Sequence, residues 1–272
     1  MSELQELIGK RFQVLGDDGW LELVDMMPHP NTEVSGDLAI VNAARTSFLG
    51  ESKGVEQDTK LLRYLLRNHH SSPFEMVEFK FRVRAPVVVM WQWVRHRTWN
   101  MNAQSGRYTP FEEDAMYIPA MDAWRKQSSS NKQASSGEMF TLEEQEAIIN
   151  GLYANAQSMP TLELAKVSGD IFSDLLEAYF ASGFEIYQTL LDNGAAKEQA
   201  RLFLPGWGLY YTWVAKIDAH NLMNFLRLRM DSHAQYEIRV YAECIYENIF
   251  KAALPATAAA FEEYVLNAAS KP

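Results

Sequence analysis

Between Phe79 and Phe111 the chain carries Lys80, Arg82, Arg84, Arg95, Arg97 and Arg107, and no Asp or Glu. The first three alternate with apolar residues and read as the wet face of a strand. Arg95 and Arg97 differ, because they end an apolar run that starts at Val87. Arginines leaving a buried element need anionic partners or a polar site, since an unpaired buried charge costs about 3–5 kcal/mol. Glu75 or Asp231 could supply such partners. On a helix, Gln92 lies three and four residues before Arg95 and His96, so the three share a face. The following stretch, Thr98 to Tyr108, collects Asn100, Asn102, Gln104, Ser105, Gly106 and Arg107. Arginine forks suit phosphate, and amides suit the edge of a base. This inventory fits an anionic, base-containing small ligand; the plainer reading is a polar loop.

Two more arginines are attached to apolar sequence. Arg229 stands three and seven residues after Leu226 and Leu222, on the apolar stripe of its helix, while His220, Asn224 and Arg227 occupy the neighbouring face. Arg201 precedes Leu202-Phe203-Leu204-Pro205. Several such arginines favour one polyanionic ligand over several separate buried ion pairs. Other chemistries find no support: there is no GxxxxGK[ST] loop, no GxGxxG fingerprint, no HExxH pair and no nucleophile elbow. No metal site is expected. Cys244, the one cysteine, reads as inert packing on a terminal helix.

The chain has 272 residues, 47% apolar, with a formal charge of −10. That balance argues against a nucleic-acid binder. One cysteine excludes a disulfide framework and multi-cysteine metal sites. No apolar run approaches a membrane span, and the N-terminus does not read as a signal peptide, so a cytoplasmic protein without a membrane partner is expected. The stretch Gln127 to Ser136 suits an exposed low-complexity insertion, around residues 125–138, within a single domain spanning 1–272.

The positioning elements read as an α+β fold: an antiparallel sheet packed by long helices. A short strand is expected over Trp20–Val24 and a helix over Leu38–Ala44 capped by Asp37. A second helix covers Gln57–Asn68, where Leu61, Leu62, Leu65 and Leu66 share a face. Val77 to Arg84 alternates apolar and charged residues and gives the strongest strand signal. Pro86 opens a mostly buried helix from Val87 to Thr98. Phe172 to Leu190 reads as a long helix stopped by Gly194, and Tyr210–Ile217 as a strand. Asp218 caps the next helix, and a long terminal helix runs from about His233.

Arg95-His96-Arg97, then seven residues, then Ser105, resembles the RHR-x7-S motif of the flavin-dependent thymidylate synthases. Ser72-Pro73-Phe74-Glu75, Gln92-Trp93, Ser105-Gly106-Arg107-Tyr108, Ala200-Arg201, Leu204-Pro205, Asn221 to Leu226, Leu228-Arg229 and Asp231 to Gln235 also look like the family. The likeness runs from about residue 20 to 262, excluding the region around 120–165. It implies a homotetramer with FAD at subunit interfaces. It also implies reductive methylation of dUMP to dTMP with methylenetetrahydrofolate and NADPH, without an enzyme nucleophile. By position, His70, Ser72, Arg95, His96, Arg97, Asn102, Ala103, Asp218, Ala219, His220 and Asn224 would hold FAD. Gln92, Trp93, Val94, Arg95, Ala103, Gln104, Ser105, Gly106, Arg107, Arg201 and Arg229 would hold dUMP. Arg229 would be the catalytic residue, favouring the N3-ionised pyrimidine.

The chain departs from the family at Ala103, where a Glu is usual near the motif's serine, and at Asp218 and His220, where Asn and Arg are common. A nucleotide-binding regulator without turnover is the rival reading, and Ala103 is its best support. A nucleic-acid protein using the basic 79–111 segment is a second rival, and it implies a steep salt dependence.

Overall fold

The computed structural model describes residues 3–112, 115–128, 135–154 and 171–267. Helix α1 (Glu3–Leu7) leads into strands β1 (Arg11–Gln13) and β2 (Trp20–Met27). Helices α2 (Gly36–Thr46) and α3 (Val55–Arg67) follow, then a tight 3-10 turn over Ser72–Met76. Strand β3 (Glu78–Pro86) runs directly into α4 (Val87–Trp93), and β4 (Asn100–Ala103) comes next. A two-stranded ribbon, β5 (Arg125–Gln127) with β6 (Ser135–Met139), precedes α5 (Leu142–Ala154). Then come α6 (Phe172–Asp192), the single turn α7 (Lys197–Ala200), and β7 (Tyr210–Asp218). Helices α8 (Ala219–Arg229) and α9 (Tyr236–Ile245) follow; a π-turn over Tyr246–Phe250 carries the chain to Ala253. Helix α10 (Pro255–Phe261) comes last, continued by a second π-turn over Glu262–Leu266.

The main sheet has the order β1-β2-β3-β7-β4, and every pairing is antiparallel. The fold class is therefore α+β, as the alternating strand implies. Phe79, Phe81, Val83 and Ala85 on β3 are fully buried, as are Trp213, Ala215 and Ile217 on β7. Around them Trp93 is the hub, with its ring centroid 5.2 Å from Trp99, 5.5 Å from Trp213 and 4.8 Å from Phe225. Arg84 on the opposite face is less wet than expected: it pairs with Glu112 at 3.5 Å and lies over the Tyr210 ring. No helix among the described residues is long and apolar enough to cross a membrane.

Three local expectations are corrected. Ser35, not Asp37, caps α2, its hydroxyl accepting from the Leu38 N–H at 3.2 Å. Asp37 instead reaches across the fold to α10, whose own N-cap position holds Leu254, which has no polar side chain. The Asp37 carboxylate accepts from the N–H groups of Ala256 and Thr257 and from the Thr257 hydroxyl, at 2.8, 3.1 and 2.6 Å. The helix expected over Val87–Thr98 stops at Trp93. Trp99 has to turn inward onto Trp93, Phe81 and Phe225, and a continuing helix would not aim it there. Finally, the terminal helix is not continuous but is interrupted by the π-turn and by Pro255, which opens the next helix.

Of the expected insertion, residues 129–134 lie outside the described residues. Its base is drawn inward: Arg125 is half-buried and binds the buried Glu237.

Candidate functional site

The expected site residues fall into three groups. The first lines a cleft of about 360 Å³ between the end of α3, one face of α8 and the C-terminal turn after α10. Helix α3 ends in a Schellman arrangement. His69 takes a left-handed conformation (φ 57°), its N–H bonds to the Leu66 carbonyl, and the His70 N–H bonds to that of Leu65. This reversal puts His70 at the cleft, where its ring stacks on Tyr64. His220 and Asn224 face it from α8, joined by Arg227, whose guanidinium donates to the Asn224 Oδ1 at 3.0 Å. Leu65, Leu66, Phe74, Met223, Phe261 and Val265 supply apolar walls. Ser72 begins the neighbouring 3-10 turn.

Asp218 and Ala219 serve this cleft indirectly. Asp218 caps α8, accepting from the Asn221 N–H at 2.9 Å, as its sequence position implies. Ala219 is fully buried, and its N–H bonds to the Val77 carbonyl, locking the helix start to the chain entering β3. Arg227, His69 and Tyr264 were not among the expected cofactor residues. The signal for Arg227 was present, since it lies seven residues after His220 on one helix face.

The second group surrounds Arg229 at the other end of α8. Its Nε donates to the His96 Nε2 at 2.8 Å, its Nη1 to the Gln92 Oε1 and its Nη2 to the Gln92 carbonyl, each at 3.4 Å. All three acceptors are neutral. Burial, and then the neighbouring Arg229 charge, push the His96 imidazole down to about 4, so it stays uncharged and offers a lone pair. Burial also lowers Arg229 from its ordinary value, but no carboxylate pairs with it among the described residues. Its positive charge is therefore held in place without being cancelled. Asp231 is engaged elsewhere, with His233 at 2.7 Å.

Arg95 and Arg97 do not emerge from a buried helix as expected. They occupy the exposed turn after α4, stitched by bonds from the Arg95 and His96 N–H groups to the carbonyls of Gln92 and Trp93. Neither makes an ion pair with a described acid. The Trp93 side chain is fully buried in the core hub, so only its backbone is open to a ligand. Val94 is exposed beside it.

The third group is the loop after β4. That strand was missed, because its polar residues show no apolar pattern. It pairs with β7, setting Asn102 opposite Val214 and half-buried Ala103 opposite Trp213. The loop is then pinned by the Gln104 N–H to the Thr212 carbonyl and by the Tyr211 hydroxyl to the Gln104 carbonyl. The Ser105 hydroxyl accepts from the Arg107 N–H at 3.3 Å. Gly106 is buried against Phe111, and Arg201 comes close enough that a Cβ on Gly106 would lie 3.5 Å from its Nη1. Ser105 and Arg107 belong to this loop and Arg201 lies against it, and hydroxyl and guanidinium donors are the types that suit phosphate.

A family model described as thymidylate synthase complementing protein matches residues 22–256. A flavin-dependent thymidylate synthase of Gluconobacter oxydans is 42% identical over 271 residues, covering 98% of this chain and 78% of its own. One from Thermus thermophilus is 43% identical over 253 residues, covering 93% and 79%. A crystal structure of a UMP/dUMP methylase PolB from Streptomyces cacaoi, bound with 5-Br dUMP, superimposes with a TM-score of 0.70. That pair shares 30% identity over 94% of this chain and 99% of the other. The chain belongs to the flavin-dependent thymidylate synthase family.

Proposed function

We propose that this chain methylates dUMP reductively to dTMP, using methylenetetrahydrofolate and NADPH, as a cytoplasmic homotetramer that binds FAD. The observation that carries the reading is Arg229, a half-buried guanidinium steered by neutral acceptors only.

Ser105, Arg107 and Arg201 bind the dUMP phosphate, with Gln104 and Gly106 offering backbone groups and Ala103 and Val94 bordering the nucleotide. Gln92 and Arg95 meet it from the α4 turn. Arg229 stabilises the N3-ionised pyrimidine; this raises electron density at C5, which attacks the carbon donor with no thiolate addition by the enzyme. The cleft fits part of a flavin dinucleotide. Its apolar walls suit a ring system, while His70, His220, Asn224 and Arg227 supply donors for phosphate or ring edges without a Gly-rich loop. Ser72, His96, Arg97, Asn102, Asp218 and Ala219 complete or support that binding. FAD, when bound, supplies the hydride that reduces the transferred carbon.

Assembly of several copies is supported by two features. The cleft lined by His70, His220 and Asn224 includes none of Ser105, Arg107, Arg201 or Arg229. Leu202 and Phe203, which follow Arg201, are exposed, and so are Trp91 and Trp207, with the two indoles 6.3 Å apart. An apolar surface of this kind marks an interface. Full activity from a protein that light scattering shows to be monomeric counts against shared sites.

The direct test is Arg229→Ala. Loss of a preorganised charge stabiliser costs about 2.7–4 kcal/mol, so turnover falls roughly a hundredfold or more while the protein still takes up FAD and stays yellow. Near-parental turnover rejects the role. A protein that binds dUMP, ignores FAD and makes no dTMP leaves the regulator reading ahead.

A further inference from the structure

Glu237, on the first turn of α9, is 4% exposed, and no assigned role in the chemistry uses it. Its Oε1 accepts from the Arg125 guanidinium and from the Tyr117 hydroxyl at 3.4 Å. Its Oε2 accepts from the Gln235 Nε2 at 2.8 Å. Gln235 occupies the N-cap position of α9, yet its side chain makes no capping bond. Instead its Oε1 accepts from the Gln92 Nε2, and the Gln92 Oε1 accepts in turn from Arg229.

The polarity of this chain of bonds is set at both ends, since the Arg229 guanidinium can only donate. A carboxylate paired with Arg125 can only accept, so Gln235 must turn its NH2 toward it. That leaves the Gln235 oxygen facing Gln92, and so the Gln92 NH2 turns away from Arg229 and its oxygen toward it. From these contacts we infer that Glu237 is a positioning residue: through Gln235 and Gln92 it presents an acceptor, never a donor, to Arg229. The inference rests on the role assigned to Arg229 above. It also gives the ribbon a task, because Arg125 at its base satisfies the carboxylate without taking the oxygen that Gln235 needs.

A reversal of polarity tests this. In Glu237→Gln, Arg125 and Tyr117 claim the new carbonyl oxygen, and the new NH2 confronts the NH2 of Gln235. Either Gln235 and then Gln92 flip, leaving an NH2 against the Arg229 guanidinium, or two NH2 groups meet within the relay and its hold on Gln92 is lost. A misplaced catalytic group costs up to about a hundredfold, so kcat falls tenfold to a hundredfold, with little change in the KM for dUMP and none in FAD uptake. Gln235→Glu alone sets two carboxylates together and also lowers kcat. The double variant Q235E/E237Q restores the pattern, since a carboxylate at 235 accepts from both neighbouring NH2 groups; its kcat returns to within about threefold of the parent. A merely structural Glu237 does not yield to this exchange.

If Glu237→Gln fails to fold, Gln235→Met carries the test. It keeps the Arg125–Glu237 pair and cuts only the relay, and the same loss of kcat is expected. Calorimetric titration with dUMP confirms in each variant that the nucleotide still binds. Parental kcat in Gln235→Met, or no recovery in a folded double variant, overturns the relay. Arg229→Ala separates the two ideas: if it is inactive while Gln235→Met is fully active, Arg229 keeps its role and Glu237 loses its own. If Arg229→Ala is fully active, the reading beneath both fails.

Discussion

Gly106 is the position where a single methyl group should be felt most sharply. A Cβ added there would sit 2.5 and 2.9 Å from the Cε2 and Cζ of Phe111, against an ordinary carbon contact of about 3.5–4.0 Å. Roughly 1 Å of movement is therefore needed. Phe111 resists, because its ring packs 5.8 Å from that of Tyr211 and its N–H bonds to the Tyr187 hydroxyl at 3.3 Å. It also anchors a small buried cluster with Phe184, Leu204 and Leu209. The loop on the other side is softer, since Arg107 and Tyr108 are exposed. In Gly106→Ala the loop should yield, carrying Ser105 and Arg107 away from Arg201. Overpacking of a core costs about 1–3 kcal/mol, but here most of it appears as displacement. Because a 1 Å error can cost about a hundredfold, the KM for dUMP should rise ten- to a hundredfold while Tm changes little. Initial rates against dUMP concentration, with a thermal melt, read both. Parental KM together with parental Tm refutes the assignment of this loop to phosphate. A large fall in Tm with KM unchanged shows instead that Phe111 moved.

Cys244→Ala should keep its flavin and most dTMP formation, because burial pushes the thiol up to about 11 and a thiol nucleophile needs the opposite; a dUMP adduct on Cys244 in the parent overturns this. Asp37→Ala strands the buried Thr257 hydroxyl and uncaps α10, so it should destabilise by about 1–3 kcal/mol in denaturant titration without altering KM. Asp58 governs part of the acid limb. Burial raises its carboxyl, but bonds from Ser52, Arg45 and the Lys53 N–H outweigh that and hold it below its ordinary value. A lowered folded pKa means stability that is complete above the unfolded value, about 3.9, and lost as pH falls through the folded one. Asp58→Asn should therefore lower Tm at pH 7 and flatten the loss of Tm below about pH 4; an unchanged acid limb rejects the assignment.

The strands at the centre were legible because each has one dry face: β3 alternates without a break, and β7 carries Trp213, Ala215 and Ile217 at the same period. Helix α8 was legible through its cap, since Asp218 sits where an orphan N–H needs an acceptor. β4 was not, because an edge strand of Asn100, Met101, Asn102 and Ala103 gains its place from the backbone of β7, which no side-chain pattern records. The end of α4 was also hidden. Nothing local stops the helix at Trp93; the demand comes from Trp99, which must reach residues on β3 and α8 far away in sequence. Asp37 shows the same limit, because its partners lie about 220 residues downstream.

In the site, residue types were readable, but their states were not. That Arg229 lies on an apolar stripe follows from spacing, yet the same spacing is compatible with a buried ion pair, which would cancel the charge that the proposed role of Arg229 requires. What decides between them is the identity of its acceptors. An imidazole kept neutral by burial and by Arg229 itself, an amide oxygen and a backbone carbonyl orient the guanidinium and leave its charge available. None of the three is a neighbour of Arg229 in sequence. The sole buried carboxylate in that network, Glu237, is compensated at a distance by Arg125, two amides away from Arg229. A carboxylate next to Arg229 would hold it as firmly, but it would compete with an ionised pyrimidine for the same charge. Placing the acid two amides back keeps the orientation and removes the competition.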